Sequence, residues 1–342
     1  MKILLDISHP AQAHALHHFI LKMHEKGHQT LIFARDKEIT HELLNSWNIS
    51  FINKGKGSRS SFNKLINTIK TVRKMYLLSR QFHPDLIISY SSYQAAITGW
   101  LLHKPVITFE DTEHVPLLHS INKFFSTKMI TPDCYMGDFG KKHIRFNSYK
   151  ELAYLHPNIF KPDINIQPEK PYFILRFVSW EAWHDRGHKG ISENMKRKLI
   201  NSLSDFGQLF ISSETPLPEK WKKYQLPVPV QDFHSFLSGA SLFFGESASI
   251  AAEAAVLGIP SIYIGNTNLG YINELKNKYH LIHQFGESDK DIESALSQAI
   301  HLLNQPNVKE IWQQKRKRIL SEKIDLCEWM VDFVEKEVRG KG

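Results

Sequence analysis

Short runs of apolar, mostly β-branched residues alternate along this chain with segments whose apolar positions recur every three to four residues. A run that is apolar throughout reads as a buried strand, and a recurrence near 3.6 reads as one face of a helix. Lys2–Ile7, apolar but for Lys2 and Asp6, reads as the first strand; helical spacing follows over Ala13–Lys26, with Gly27 placed to end it. Thr30–Ala34 predicts a strand, Lys37–Trp47 a helix and Ser50–Ile52 a short strand. Leu65, Ile66, Ile69, Val72, Tyr76 and Leu77 then recur at helical spacing. Asp85–Ser89 and Pro105–Phe109 read as strands, with Gln94–Leu102 and Pro116–Thr127 as helices. Strands alternating with helices predict parallel βαβ units in a doubly wound sheet.

The alternation lapses over residues 133–170, which carry Pro157, Pro162 and Pro168 and hold no sustained period. That stretch predicts a crossing between domains. Beyond it, Tyr172–Phe177, Gln208–Ser212, Val228–Val230, Ser241–Gly245 and Pro260–Ile264 read as strands of a second sheet. Val308–Val338 reads as one long charged helix. The expected organisation is α/β, with two Rossmann-like domains over residues 1–165 and 166–320 facing a cleft. Residues 321–342 are expected as a helix crossing back to the first domain.

Composition adds limits to this picture. With 42% apolar and 23% charged residues, the chain has a globular profile, and 342 residues suffice for two cores. Two cysteines, Cys134 and Cys327, cannot supply a disulfide framework or a cysteine-based zinc site. No apolar run approaches the roughly 20 residues of a membrane span. The start MKILLDISHP lacks the apolar core and cleavage site of a signal peptide, so the cytoplasm is expected.

Charge is unevenly placed. Residues 1–150 hold 20 Lys and Arg against 11 Asp and Glu, while residues 151–342 hold 23 against 24. Between Glu42 and Asp85 no acidic residue interrupts Lys54, Lys56, Arg59, Lys64, Lys70, Arg73, Lys74 and Arg80. Such a stretch suits an acidic partner or a solvated face. Leu65, Ile69, Val72 and Tyr76 form a stripe expected to pack on the sheet, turning Lys64, Lys70, Arg73 and Lys74 outward. No RNA-binding motif or aromatic platform accompanies them, which argues against nucleic acid and leaves an anionic membrane surface as the better partner.

Ligands in open α/β sheets bind beyond the carboxyl ends of the strands, so the loops there are the candidates for chemistry. Gly245-Glu246-Ser247-Ala248-Ser249 ends a strand and opens a helix, where backbone N–H groups can hold phosphate and Ser247 and Ser249 add hydroxyls. Glu253 lies two turns along and could accept hydrogen bonds from a ribose diol. Ordinary N-capping by Ser247 or Ser249 is the structural alternative. Together with Ala252–Pro260, this stretch resembles the nucleotide-sugar signature of GT-B-fold proteins. That superfamily includes nucleotide-sugar glycosyltransferases and non-hydrolysing UDP-N-acetylglucosamine 2-epimerases. The resemblance implies that Glu253 holds the ribose and that Ser247 and Ser249 flank the diphosphate. The whole chain also resembles an uncharacterised bacterial and archaeal glycosyltransferase-like family of that superfamily, through Asp6–Pro10, Thr108–His114 and Arg176–Trp180.

Three further loops complete the candidate site. Ser8-His9-Pro10-Ala11-Gln12-Ala13-His14 is similar to the Pro-Ala-Gln-Gly-His stretch of small-molecule glycosyltransferases, which implies His14 as general base, with Asp6 or Asp111 to orient it. His14 and His18 at i, i+4 admit a metal reading that lacks a carboxylate motif. Glu110, Asp111 and Glu113 crowd one strand end, where they bind an acceptor hydroxyl, serve as base or start a helix. After the second domain's first strand, Arg176, Arg186 and Lys189 can neutralise a diphosphate, and Trp180, Trp183 and His184 lie among them.

The epimerase resemblance requires three acids in the first domain. Glu110 matches one, but Ile88–Ser92 and Leu118–Ser120 hold hydroxyls and a histidine where the other two belong. The expectation is therefore a metal-independent glycosyltransferase with no cofactor, using a nucleotide-diphosphate sugar (UDP-linked) as co-substrate and a glycan or lipid-linked acceptor. A 2-epimerase and a non-catalytic sugar-nucleotide or nucleic-acid binding protein are the alternatives.

Overall fold

A computed structural model describes residues 1–57, 61–178 and 190–339. It divides the chain into two compact units, residues 1–159 with 323–342, and residues 160–322.

The first unit is built on a seven-stranded parallel sheet of β1 (Lys2–Ile7), β2 (Gln29–Ala34), β3 (Ile52–Asn53), β4 (Leu86–Tyr90), β5 (Val106–Phe109), β6 (Lys128–Pro132) and β7 (His143–Phe146). Their order across the sheet is β3-β2-β1-β4-β5-β6-β7. The connecting helices are α1 (Pro10–Glu25), α2 (Thr40–Ser46), α3 (Ser61–Phe82), α4 (Tyr93–Leu101) and α5 (Pro116–Phe125). The connections through α3, α4 and α5 all step one way across the sheet, and those through α1 and α2 step the other. Right-handed crossovers therefore set α3, α4 and α5 on one side and α1 and α2 on the opposite side. The last helix, α12 (Leu326–Arg339), packs on α1, where Glu328 and Glu335 pair with Lys22 and Lys26.

The second unit carries five parallel strands in the order β12-β11-β10-β8-β9. These are β8 (Tyr172–Phe177), β9 (Gln208–Ser213), β10 (Leu242–Gly245), β11 (Ser261–Ile264) and β12 (Ile282–Phe285). Its helices are α6 (Glu193–Ser204), α7 (Phe233–Ser238), α8 (Ala248–Leu257), α9 (Gly270–Asn277), α10 (Asp289–Asn304) and α11 (Val308–Glu322). The central strands are apolar and buried on both faces, as parallel strands covered by helices must be. The fold class expected from the alternation is thus present in both halves.

Several elements differ from the sequence expectation. The stretch over residues 133–170 contains β7, a polar edge strand that period alone does not reveal. Val228–Val230 is not a strand, and the fifth strand of the second sheet is β12. The long terminal helix is two helices, α11 and α12, interrupted at Lys323–Asp325. In α3 the expected stripe is displaced: Val72, Met75 and Ser79 are buried, whereas Leu65 and Ile69 are each 60% exposed.

Candidate functional site

In the first unit, the carboxyl end of the sheet is held by two buried charge networks. Asp6, the last polar residue of β1, is fully buried and sits 2.5 Å from Lys54 Nζ; Ser92 Oγ also donates to it. Lys54 donates further to Ser8 Oγ at 2.8 Å, and its side chain is only 2% exposed. Burial pushes the Lys54 ammonium down, against the pull of Asp6. By sequence Lys54 belongs to the basic stretch expected to meet a partner or solvent, whereas the structure buries it. The missed signal is Asp6 itself, a carboxylate in an apolar strand that needs a buried cation. Ser92 also caps α4, so this network ties the end of β1 to the start of that helix.

The second network surrounds Glu110. Its side chain is fully buried after β5, where Oε1 accepts from the N–H groups of Asp111 and Thr112 at 3.1 Å each. Ser91 Oγ donates to Oε2 at 2.6 Å from a residue held at φ 50°, an uncommon backbone state for a serine. His119 Nε2 of α5 stands 3.5 Å from the same oxygen. Burial opposes the charged imidazole, but the adjacent Glu110 carboxylate outweighs it and raises the His119 pKa. Ser91 and His119 occupy the segments where two acids were sought, and both converge on Glu110.

Asp111 pairs with Lys150 at 2.5 Å, and Lys150, 7% exposed, also faces Glu151 at 3.6 Å. Burial opposes the Lys150 charge, and these two carboxylates more than compensate, raising its pKa. Glu113 Oε1 accepts from the Met136 N–H at 3.4 Å. The three acids of this loop therefore have distinct structural partners.

His14 lies in the second turn of α1, half-buried. Its ring stacks on Tyr154 at 5.3 Å and meets the edge of Trp47 at 5.1 Å. Trp47 in turn stacks flat on His17, with centroids 4.0 Å apart. Burial, aided by the charge of His18, pushes His17 down to about 3. His9 caps α1, with Nδ1 accepting from the Ala11 N–H at 3.2 Å and Nε2 standing 3.8 Å from Glu38. Asp6 and Asp111, considered as orienting groups for His14, are engaged by Lys54 and Lys150 as described.

In the second unit, β10 runs beside β8 with Gly245 opposite Arg176. A Cβ at Gly245 would stand 2.6 Å from the Arg176 Cβ and 2.7 Å from its carbonyl oxygen, so only glycine fits. Ser247 caps α8, its hydroxyl accepting from the Ile250 N–H at 3.4 Å. Ala248 and Ser249 form the first turn, whose N–H groups have no partners inside the helix. Glu253 is buried on α8, and His234 Nε2 of α7 stands 3.2 Å from its Oε1.

Arg176 Nη1 donates to Ser212 Oγ at 2.7 Å and Nη2 to Glu214 at 3.0 Å. Among the described residues its buried Nε has no hydrogen-bond partner. Glu246 accepts the N–H of Val178 at 3.0 Å through Oε2 and the N–H of Ile191 at 2.7 Å through Oε1. This carboxylate therefore braces the two ends of the loop after β8, a role that sequence reading did not foresee. Trp180, His184, Arg186 and Lys189, expected in that loop, lie outside the described residues, as does Trp183.

Among the described residues, no group of three or more His, Cys, Asp or Glu is placed to hold a metal ion, and no helix is long and apolar enough to cross a membrane.

Residues 1–339 match the family described as "Protein of unknown function (DUF354)". The chain belongs to the DUF354 family. The chain's fold is shared with solved structures of low sequence identity. MnaA from S. aureus with UDP aligns over 99% of this chain and 97% of its own, with a TM-score of 0.69 and 12% identity. The UDP-GlcNAc 2-epimerase from Neisseria meningitidis bound to UDP-GlcNAc covers 98% and 100%, at 0.68 and 14%. The spinosyn rhamnosyltransferase SpnG covers 98% and 100%, at 0.64 and 10%. These likenesses establish a GT-B-like fold for this DUF354 chain. No curated protein matches it.

Proposed function

We propose that this DUF354 protein is a GT-B glycosyltransferase that moves a sugar from a nucleotide diphosphate, UDP by preference, to a glycan or lipid-linked acceptor. The observation that carries this reading is the start of α8. Gly245 lets the strand end close on Arg176, Ser247 caps the helix, and the first-turn amides of Ala248 and Ser249 form an anion site. Glu253, fixed by His234, is the ribose ligand of the proposal. The solved structures that share the fold include one bound to UDP and one bound to UDP-GlcNAc, which supports this choice of donor.

In this reading the first unit binds the acceptor. The acceptor oxygen forms its bond to the anomeric carbon as the bond to the diphosphate breaks. His14 takes the hydroxyl proton, and Glu110, Asp111 and Glu113 orient the acceptor. Arg176, Arg186, Lys189 and the start of α8 receive the diphosphate, with Trp180 and His184 beside it. His9 acts by capping α1 and so setting the helix that carries His14. Catalysis needs no metal in this scheme, and the cytoplasm is its proposed setting.

The test is a thermal-shift screen of nucleotides and nucleotide sugars, followed by turnover with the sugar that stabilises the protein. Replacing a general base typically costs about 10²–10⁴-fold in rate. His14→Ala is expected to fall in that range; near-normal turnover would reject it as the base. A second reading, 2-epimerisation of a UDP-sugar, is favoured by Glu110 with Ser91 and His119 around it. Interconversion of a UDP-sugar without any acceptor would select it.

A further inference from the structure

We propose that the α3–α4–α5 side of the first unit is a docking surface for an anionic lipid bilayer. The proposal does not depend on the donor-site reading. It starts from an apolar layer that nothing covers within its own unit. Leu65, Ile69 and Leu77 of α3, Trp100 and Leu101 of α4, and Leu117 and Phe124 of α5 are all exposed. Leu117 is 75% exposed and Phe124 71%. They make up seven of the twelve exposed large apolar residues among those described. Adjacent exposed apolar side chains on one layer mark an interaction surface, whereas scattered ones do not.

The three helices pack side by side, α3 on α4 and α4 on α5. Trp100 meets the edge of Phe125 at 5.5 Å, and Phe125 meets Phe124 at 4.8 Å, so the aromatic groups are continuous. Exposed Trp and Phe side chains suit the boundary between headgroups and acyl chains.

Charge identifies the occupant. The sequences of α3, α4 and α5 contain no Asp or Glu. They carry Lys70, Arg73, Lys74, Arg80 and Lys123, all exposed. Lys64, in the first turn of α3, belongs to the same basic set by sequence. The opposite side of the sheet differs: there α12 supplies Glu328 and Glu335 to the lysines of α1. A basic layer studded with Leu, Ile, Trp and Phe matches anionic headgroups over acyl chains. A nucleic acid would use the charge but leave the apolar groups in water, because such interfaces are polar. A second copy meeting this face through a twofold axis would bring like charges together.

The test is flotation of the full-length protein with vesicles of phosphatidylglycerol and phosphatidylcholine, against pure phosphatidylcholine, at low and high salt. Binding is expected only to the anionic vesicles, weakening with salt. Each basic residue near such a surface is worth about fivefold in affinity. The double variant Lys70→Ser, Arg73→Ser is therefore expected to bind markedly less. Leu117→Ser with Phe124→Ser is expected to weaken binding while leaving the thermal melt and circular dichroism unchanged. Absence of flotation with anionic vesicles at low salt would overturn the proposal, as would equal binding to both vesicle types. Displacement by a DNA duplex without any effect of Phe124→Ser would assign the face to nucleic acid instead. A dimer in light scattering that Phe124→Ser dissolves, with no vesicle binding, would assign it to a second copy.

Discussion

In the second unit His234 Nε2 stands 3.2 Å from Glu253 Oε1, and both side chains are at least nine-tenths buried. A buried carboxylate needs such a partner, because leaving it unpaired is costly. The pairing also fixes where the carboxylate points, which a ribose ligand requires. Glu253→Gln keeps the volume and removes the charge. Hydrogen bonds to charged groups contribute about 1.5–3 kcal/mol, so UDP affinity is expected to fall roughly 10–100-fold by titration calorimetry. Unchanged affinity would remove Glu253 from the nucleotide site.

Glu246 predicts a different phenotype from its neighbour in sequence. Its two oxygens serve the amides of Val178 and Ile191, on either side of the loop after β8. Glu246→Ala orphans the buried amide of Ile191, at about 1–3 kcal/mol, and exposes the half-buried amide of Val178 to water at a smaller cost. The loss is expected in urea unfolding of the free protein, before any ligand is added. Full stability of Glu246→Ala would contradict the bracing role.

The sheet core was legible because parallel strands buried on both faces must be continuously apolar. Lys2–Ile7 and Tyr172–Phe177 show that pattern apart from Lys2, Asp6 and Arg176, and the structure has the same limits for both. Edge strands were not legible. His143–Phe146 has one buried residue and mixes polar with apolar positions, so it carries no period of its own. The stop between α11 and α12 has no Gly or Pro to mark it, since Lys323-Ile324-Asp325 interrupts the helix. The helix stripe of α3 misled for a different reason. Spacing finds the residues that share a face, while the neighbouring elements determine which face is covered. At the site, the cap Ser247 was readable because capping is local. Lys54 with Asp6 and Ser91 with Glu110 were not readable, because those contacts join positions far apart in the chain.

The Glu110 cluster can be tested through the titration of His119. Burial lowers an imidazole pKa, and in the folded protein Glu110 reverses that effect. The His119 resonance is expected to titrate above the ordinary histidine value near 6.5. A raised folded pKa contributes stability that is present below about 6.5 and lost as pH rises through the folded value. Glu110→Gln removes the main opposing charge, so the midpoint should move down by nuclear magnetic resonance. A midpoint that stays in place in Glu110→Gln would separate His119 from this carboxylate.

His17 makes the opposite pH prediction. Its folded pKa of about 3 lies below the ordinary 6.5, because burial against Trp47 disfavours the charged ring and the charge of His18 adds to this. A depressed value contributes stability above the unfolded pKa that is lost as pH falls through 6.5 toward 3. Between pH 7 and pH 5 the linkage amounts to about 2 kcal/mol from this one group. His17→Phe keeps a flat ring against Trp47 and cannot take up a proton. The variant is therefore expected to lose about 2 kcal/mol less than the parent over that interval, read from urea unfolding at each pH. Parallel losses in the two proteins would show that His17 is already free to ionise in the folded state.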